Sequence, residues 1–456
     1  MSLQPGGTRV RTAYCGFAVF GAFWGVWGAS VPAIREQAGL TDGELGTALL
    51  FVGAGALPAM LTAGRAVDRW GHRLTALLLV LLGAVGVAVA VVARDLPSLS
   101  AGLALLGAAS GAADVAVNAA AGSAERAAGR PVITRAHGFF SAAVVVASLA
   151  TGLLGGVAAP VVVPFALVAV AAAGAGLLIA ADARGHSASP GRRGAAPEPG
   201  PGGRSVLRAY LPLLLVAGAL GALAFAVENA HQSWSAVYMA DMLRADPVLA
   251  AAGPAVFAAV VALTRFAAGS LRSGHAMTVL ILGAVTAATG TVLLASASSV
   301  PPALAGLALA AAGTAVLFPT LLGLVTADVP DSARGAATSV MTTVSYLGFL
   351  AGPVYVGYWA QSAGLPGAML AVSALAGALA LLTWPALRAA VPLRGESAAR
   401  PSTRPPAGGR PSSEEIARGG HGGLAEADAP VVGRDAMVGQ HPEVPEPERL
   451  DEPAEK

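Results

Sequence analysis

Long apolar stretches, separated by short polar segments, repeat along most of the chain. The hydrocarbon core of a bilayer is roughly 30 Å thick, so a helix that spans it needs about 20 mostly apolar residues. The pattern predicts twelve such helices, at residues 13–32, 44–64, 75–93, 99–122, 138–158, 160–181, 209–230, 249–270, 276–296, 302–326, 336–359 and 367–387. We therefore expect an all-α membrane protein.

Polar segments divide the chain further. Residues 1–12 predict a short cytoplasmic N-terminus before a first spanning helix, because no small-residue cleavage site follows them. Residues 182–208 contain a proline- and glycine-rich run and predict a cytoplasmic linker between two six-helix bundles, 13–181 and 209–388. Residues 389–456 are polar and proline-rich, which predicts a disordered cytoplasmic tail.

The two predicted bundles echo each other in sequence. GRAVDRWGHR (64–73) follows the second predicted helix, and FAAGSLRSGH (266–275) follows the eighth. A repeat at the same place in each half is expected of a duplicated transporter, so we predict two pseudo-symmetric bundles. Three GxxxG spacings, at 21/25, 107/111 and 152/156, indicate nothing by themselves in a chain with 58 glycines.

Composition supports a membrane location and narrows the function. The chain is 55% hydrophobic and 12% charged, whereas a soluble domain has roughly 25% charged residues. A formal charge of +2, without a basic stripe, argues against a nucleic-acid partner. The seven histidines are scattered and the one cysteine is alone, so we expect neither an enzyme nor a metal or cofactor site. The expected partners are a small solute, protons and membrane lipid, and we expect a monomer.

Arginine placement predicts the orientation, because positively charged loops stay cytoplasmic. With the N-terminus inside, three arginines (35, 94 and 244) lie on outward loops. Fourteen lie on inward loops and adjoining helix ends: 65, 69, 73, 126, 130, 135, 184, 192, 193, 204, 208, 265, 272 and 334. We therefore predict a multi-pass protein of the cytoplasmic membrane with both termini in the cytoplasm.

Two acids, Asp114 and Glu228, fall well inside predicted spans, and the two asparagines of the chain, Asn118 and Asn229, accompany them. A charge at mid-bilayer costs about 2.5–3.5 kcal/mol on insertion scales, so such residues usually face a cavity or carry protons. We place Glu228 in the outer third of its helix, with Gln232 one turn further. The interpretation is proton coupling at both acids; the alternatives are a fixed ion pair or helix–helix hydrogen bond for Asp114 and a wet outer site for Glu228.

Aromatic side chains make up 5% of the chain and gather at a few predicted helices. On one face of the first helix they suit a sugar ring or similar solute, although tryptophan also favours membrane interfaces. We predict a substrate cavity lined by aromatic and polar side chains: Phe20, Trp24, Trp27, Trp234, Tyr346, Asn118, Asn229 and Gln232.

The segment 64–73 resembles the loop between helices 2 and 3 of the major facilitator superfamily, whose pattern is roughly G-x-x-x-D-R-x-G-R-R. The matching residues are Gly64, Asp68, Arg69, Gly71 and Arg73, while His72 stands where a basic residue is usual. The resemblance implies a conformational latch, in which Asp68 lies against a helix N-terminus and the dipole favours the anion. The alternative is an ordinary basic turn that only sets topology.

Residues 111–141 resemble the helix 4–5 region of the superfamily branch that holds the rhizopine-transport protein and relatives of fucose permease. Matching positions are Asp114, Asn118, Glu125, Arg126, His137, Gly138 and Ser141. Residues 228–239 look like helix 7 of that branch. We assign Glu125, Arg126 and His137 to the latch or gate.

This resemblance implies a secondary transporter that moves a sugar- or polyol-like solute by proton-coupled alternating access, as a symporter. The alternative is efflux of a drug or metabolite by proton antiport. Many drug–proton antiporters of the superfamily carry a G-P pair in helix 5, and here SLATGLLGGVAAP has none, which disfavours efflux. A non-transporting receptor on the same fold is a further alternative.

Overall fold

The computed structural model describes residues 5–184, 201–268, 275–327 and 329–390, and these ranges contain helices and no strand. The helices are α1 (Pro5–Ala38), α2 (Asp42–Trp70), α3 (His72–Val92), α4 (Leu96–Ala128), α5 (Ile133–Gly156), α6 (Val162–Arg184), α7 (Pro201–Leu243), α8 (Pro247–Ala268), α9 (Ala276–Ser296), α10 (Val300–Ala315), α11 (Leu317–Thr326) and α12 (Asp331–Ala390). The all-α prediction is confirmed.

Within the described ranges, eleven helical segments are long and apolar enough to cross a membrane. One of them joins α10 and α11 into a single span, Val300–Thr326. The last, α12, has 60 residues and breaks at Gly364, whose φ of 71° is favourable only for glycine. Pro366 follows the break and cannot donate a helical hydrogen bond. The two arms of α12 therefore supply the eleventh and twelfth predicted spans.

Local sequence explains several helix ends. Thr41 and Glu44 form a reciprocal capping box at the start of α2, with Thr41 N–H donating to Glu44 Oε2 at 2.9 Å and Glu44 N–H donating to Thr41 Oγ1 at 3.3 Å. Asp95 caps α4 in the same way through Ser98. Gly71, with φ 56°, makes the tight turn between α2 and α3.

The helices overlap the predicted spans, although several extend up to eight residues further, and α7 differs most. It starts at Pro201 and continues to Leu243, whereas the hydropathy pattern placed it at 209–230. The polar residues after Val227 lowered the hydropathy there, yet they are helical because neighbouring helices bury many of them. The predicted linker overlaps residues 185–200 and the predicted tail overlaps 391–456, both outside the described residues. Most of the repeat at 266–275 also lies outside them.

The helices pack within two groups of six. In the first, α1 contacts α4, α5 and α6, α2 packs on α4, and α3 packs on α4 and α6. In the second, α7 packs on α8 and α12, while α9 packs on α10 and α12. The groups meet where α2 contacts α12, α5 contacts α8, and α1 contacts α7 and α8. We name the two ends of the helix bundle by the predicted orientation. The predicted outer side carries the α1–α2 and α7–α8 connections, and the predicted cytoplasmic side carries the α2–α3 and α4–α5 connections.

Glycines permit close contact at the predicted outer side of both interfaces between the groups. A Cβ on Gly357 of α12 would lie 2.8 Å from Gly46 Cα of α2, and a Cβ on Gly152 of α5 would lie 2.8 Å from the Pro247 carbonyl oxygen of α8. Such contacts allow the helix backbones to touch. The two groups are therefore joined firmly at this side.

Toward the predicted cytoplasmic side, α2 and α12 separate. No described atom lies within 4 Å of a Cβ placed on Gly64 near the end of α2, or on Gly335 near the start of α12. One contact between α5 and α8 persists, with a Phe266 ring carbon 3.6 Å from a Cβ placed on Gly138. The α2–α12 interface is thus closed at one side and open at the other.

Candidate functional site

Asp114 and Asn118 share one face of α4, as their spacing of four predicts. Asn118 Nδ2 donates to Asp114 Oδ1 at 3.0 Å and to the Asp114 carbonyl oxygen at 2.9 Å. Both side chains are half-buried. Among the described residues Asp114 has no salt-bridge partner, so the predicted alternative of a fixed ion pair does not describe this conformation.

His137, at the start of α5, lies within electrostatic range of Asp114. Its Nδ1 lies 3.0 Å from the Ile133 carbonyl oxygen, and its ring centroid lies 4.8 Å from that of Phe17. The imidazole is exposed. The structure thus brings together an acid and a histidine that the sequence placed on separate helices, on the predicted cytoplasmic side of the middle of α4.

Glu228 has a cationic partner that we did not assign to it from sequence. Arg265 of α8 donates from Nη2 to both carboxylate oxygens of Glu228, at 3.1 Å each. Gln232 Nε2 adds a contact of 3.2 Å to Oε1. Since α7 continues to Leu243, Glu228 lies near the middle of its span, Arg208–Leu243, rather than in the outer third.

A helix break supplies a further contact for Arg265. Pro319 lacks the N–H that a continuous helix would donate to the Ala315 carbonyl oxygen, four residues earlier. This carbonyl, at the junction of α10 and α11, instead accepts a hydrogen bond from Arg265 Nε at 3.2 Å. The arginine that we counted as a cytoplasmic charge is therefore held within the membrane-spanning part of the fold.

Tyr346 of α12 lies close enough to both acids for the charges of Asp114 and Glu228 to act on its hydroxyl. Its ring joins three others, which we call the aromatic cluster: Tyr346 with Phe225, Phe318 and Phe349. Ring centroids lie 4.4 Å apart for Phe225 and Phe318 and 5.5 Å apart for Phe225 and Tyr346. All four rings are half-buried. The candidate site thus includes an apolar aromatic surface near its charged groups.

Several predicted lining residues instead pack between helices. Trp234 is fully buried and its Nε1 has no hydrogen-bond partner among the described residues. Asn229 is buried, and its Nδ2 donates to the Phe349 carbonyl oxygen at 2.5 Å, which ties α7 to α12. Phe20 and Trp27 are also buried, whereas Trp24 is half-buried. For the four buried residues the structure favours a packing role.

His231, next to the site in sequence, belongs to the packing of the second helix group. Its Nδ1 lies 2.7 Å from the Val227 carbonyl oxygen, its Nε2 lies 3.0 Å from Thr291 Oγ1, and its ring stacks on Phe257 at 5.6 Å. The side chain is fully buried.

The predicted latch is not engaged. Asp68, Arg69 and Arg73 are exposed, and Asp68 makes no hydrogen bond or salt bridge within the described ranges. Arg69 lies over the Trp70 ring, with its guanidinium carbon 5.7 Å from the ring centroid. The separation of α2 from α12 at this end agrees with an open latch.

Glu125, which we assigned to the latch, has a local partner. Its Oε2 accepts hydrogen bonds from the backbone N–H groups of Val132 at 2.8 Å and Ile133 at 3.0 Å, so it fixes the start of α5. Arg126 beside it is exposed.

Sequence reasoning also missed a charge cluster at the predicted outer side. Arg35 of α1 binds Asp42 of α2 and Asp241 of α7, the latter at 2.5 Å from Nη2 to Oδ2. The sequence showed that an acid lies near Arg35, but it could not show the contact with Asp241, 206 positions away. For Arg265, the available signal was a charged residue and a later proline, each inside a long apolar run.

Comparison with known proteins places this fold. Residues 12–275 and 254–421 match the family model described as Major Facilitator Superfamily. An uncharacterized MFS-type transporter of Yersinia pestis is 30% identical over 381 residues, which is 80% of this chain and 92% of that protein. Membrane protein MosC of Rhizobium meliloti is 24% identical over 79% of this chain and 85% of its own length.

Solved structures agree on the fold. A bacterial homolog of the human lysosomal transporter Spinster, in an inward-facing and unoccupied conformation, has a TM-score of 0.69 at 15% identity and covers 86% of this chain and 99% of its own. The nucleoside transporter NupG has a TM-score of 0.64 at 12% identity, with 84% and 99% covered. The chain is therefore a multi-pass membrane transporter, not an enzyme, and belongs to the Major Facilitator Superfamily.

Proposed function

We propose that this transporter moves a sugar- or polyol-like solute across the cytoplasmic membrane by proton-coupled alternating access, with both termini in the cytoplasm. The observation that carries the proposal is Asp114: an acid in the middle part of α4, without a salt-bridge partner among the described residues. The resemblance of residues 111–141 to the rhizopine-transport and fucose-permease-like branch favours a solute of this type.

Asp114 is suited to bind and release a proton. A charged acid at this depth is costly, and Asn118 satisfies only part of its hydrogen-bonding capacity, so the neutral form is accessible. His137 on α5 and Tyr346 on α12 both lie within electrostatic range of Asp114. Protonation from one side of the membrane and release to the other would couple the proton gradient to solute movement.

Glu228 has a different role in this proposal. In the present conformation its carboxylate is held by Arg265 Nη2. We assign it to proton coupling once this salt bridge opens.

Alternating access requires each side to open in turn. The contact of Arg35 with Asp241 and the close approach of Gly46 to Gly357 support a conformation closed at the predicted outer side. The exposed latch residues Asp68 and Arg69 support opening at the predicted cytoplasmic side. In the opposite conformation the latch would form and the Arg35 contact would break.

The test combines ligand screening with transport. Thermal shifts of the purified full-length protein against sugars, polyols and amphipathic cations select a solute, whose uptake into proteoliposomes is then driven by an imposed pH gradient. Asp114→Asn should abolish gradient-driven uptake while the protein stays folded and still exchanges solute in counterflow. Asp95→Asn, an exposed acid in the α3–α4 connection, is the matched control and should keep gradient-driven uptake. Unchanged proton dependence in Asp114→Asn would contradict the coupling role, and proton-driven extrusion of a cation would replace symport by antiport.

A further inference from the structure

Arg265 occupies a position that an arginine near a helix end rarely takes. A long basic side chain at the end of a spanning helix normally extends to the interface, where water solvates its charge. Arg265 instead turns inward to the Ala315 carbonyl oxygen and the Glu228 carboxylate, both well inside their spans. The break caused by Pro319 provides one of these acceptors, so the fold holds this guanidinium with two hydrogen-bond acceptors from different helices.

The two partners of the salt bridge differ in accessibility. The solvent-accessible fraction of the side-chain surface is 12% for Glu228 and 44% for Arg265. The acid is thus nearly enclosed and the cation is the open partner.

The salt bridge leaves part of the guanidinium unused. One nitrogen, Nη2, serves both oxygens of Glu228, and Nε serves Ala315, while Nη1 makes no hydrogen bond to a described residue. The strongest arginine–carboxylate geometry uses two parallel N–H donors, one for each oxygen. A second carboxylate can therefore form a better pair with Arg265 than Glu228 does.

The surroundings suit a hydroxylated body attached to that carboxylate. The aromatic cluster supplies an apolar face, with Phe225 one turn before Glu228 on α7 and Tyr346 within reach of the charges of both acids. Gln232, Asn118 and Asp114 offer hydrogen-bond donors and acceptors at the two ends. Asp114, when charged, repels a second negative group, so the anionic end of the solute belongs at Arg265.

We propose that Arg265 is the solute-anchoring residue and that the solute is a hydroxylated carboxylic acid, such as a sugar acid, whose carboxylate replaces Glu228 on the guanidinium. This inference rests on the proposed transport function and specifies its solute. Because Glu228 competes with the solute for Arg265, removing the charge of Glu228 strengthens binding, while removing that of Arg265 weakens it.

The test compares three probes that share one ring and differ in charge: D-glucuronate, D-glucose and D-glucosamine. Binding to the purified full-length protein is measured by calorimetry and by thermal shift. We expect glucuronate to bind at least about tenfold more tightly than the other two, as the gain of a charge-assisted pair implies. Arg265→Gln should lose at least about tenfold of that affinity, and Arg265→Lys should retain part of it.

Glu228→Gln leaves Arg265 in place and should bind glucuronate several-fold more tightly than the unmodified protein, so this result does not depend on how well the Arg265 variants fold. The inference is overturned if glucose or glucosamine binds as tightly as glucuronate, if glucuronate does not bind, or if Arg265→Gln binds it unchanged. Proton-driven uptake of a neutral sugar that depends on Asp114 would overturn this inference while leaving the proposed function standing.

Discussion

Arg35 on α1 donates from Nη2 to Asp241 on α7 at 2.5 Å, and so joins the two helix groups at the predicted outer side. The same guanidinium binds Asp42 at the start of α2. The side chains retain 19% exposure for Arg35 and 32% for Asp241, so water screens the pair only in part. Helices of both groups thus share one cation where the interface is closed.

Removing this cation should favour opening of the predicted outer side. In Arg35→Gln the two acids at 42 and 241 lose their common partner. Loss of about 1 kcal/mol, the upper end for exposed pairs, corresponds to roughly a fivefold shift in the ratio of open to closed conformations. The measurement is labelling of Gln232→Cys by a membrane-impermeant maleimide added from outside, in a Cys15→Ser background, and Arg35→Gln should label faster.

Arg94→Gln provides the matched control for this prediction, because Arg94 is an exposed arginine at the same side without a salt bridge among the described residues. Its labelling rate should stay that of the background. Equal rates in the Arg35 and Arg94 variants would mean that the charge cluster does not hold the outer side closed.

Gly357 should be intolerant of a side chain. A Cβ there would lie 2.8 Å from both the Asp42 carbonyl oxygen and Gly46 Cα, so Gly357→Leu forces α2 and α12 apart. We expect a loss of about 1–3 kcal/mol, seen as a lower melting temperature of the purified protein. Gly377→Leu, on the other arm of α12 with no described atom within 4 Å of its Cβ, should melt like the parent. Similar melting of the two variants would argue against tight packing at Gly357.

His231 should stabilise the fold without taking part in transport. His231→Ala removes a fully buried ring together with its contacts to Val227 and Thr291, which should cost about 2–4 kcal/mol in the free energy of unfolding. Thermal unfolding measures this loss. The exposed His275→Ala should change stability by less than about 0.5 kcal/mol. A stable His231→Ala protein with lost transport would instead place this histidine in the transport mechanism.

Asp68 should matter for turnover and not for the stability of the present conformation, because its carboxylate is exposed and makes no described contact. Asp68→Asn removes the charge that a helix N-terminus would attract once the latch forms, an effect worth roughly 0.3–1 kcal/mol and up to about 2 kcal/mol. We expect an unchanged melting temperature and a transport rate in proteoliposomes that is roughly two- to fivefold slower for 0.3–1 kcal/mol, at about 1.4 kcal/mol per tenfold. The control is Glu36→Gln, which changes an exposed acid at the opposite side and should transport at the normal rate. A normal rate in Asp68→Asn would instead indicate that residues 64–73 form an ordinary basic turn that only sets topology.

Local sequence determined the helical architecture. In a bilayer every backbone N–H and C=O group needs a hydrogen-bond partner within the protein. A helix provides these partners within one apolar run of about 20 residues, which is why each run forms a helix. Prolines and glycines marked true breaks, as at Gly364 and Pro366. The rarity of acids in these runs was enough to single out Asp114, and helical spacing was enough to pair it with Asn118.

The tertiary structure decided which of these polar groups are neutralised and by what. From sequence we predicted the same proton-coupling role for Asp114 and Glu228. In the structure Glu228 pairs with an arginine 37 positions away, whereas Asp114 has no salt-bridge partner among the described residues. Likewise, the sequence could not tell that Trp234 and Asn229 would be buried or that the GxxxG pair at 107/111 would pack against α2. The spacing of apolar residues and their hydropathy determine which face of a helix avoids water. The residue that packs against this face depends on how helices distant in sequence cross, and the crossing is set by packing of the whole bundle.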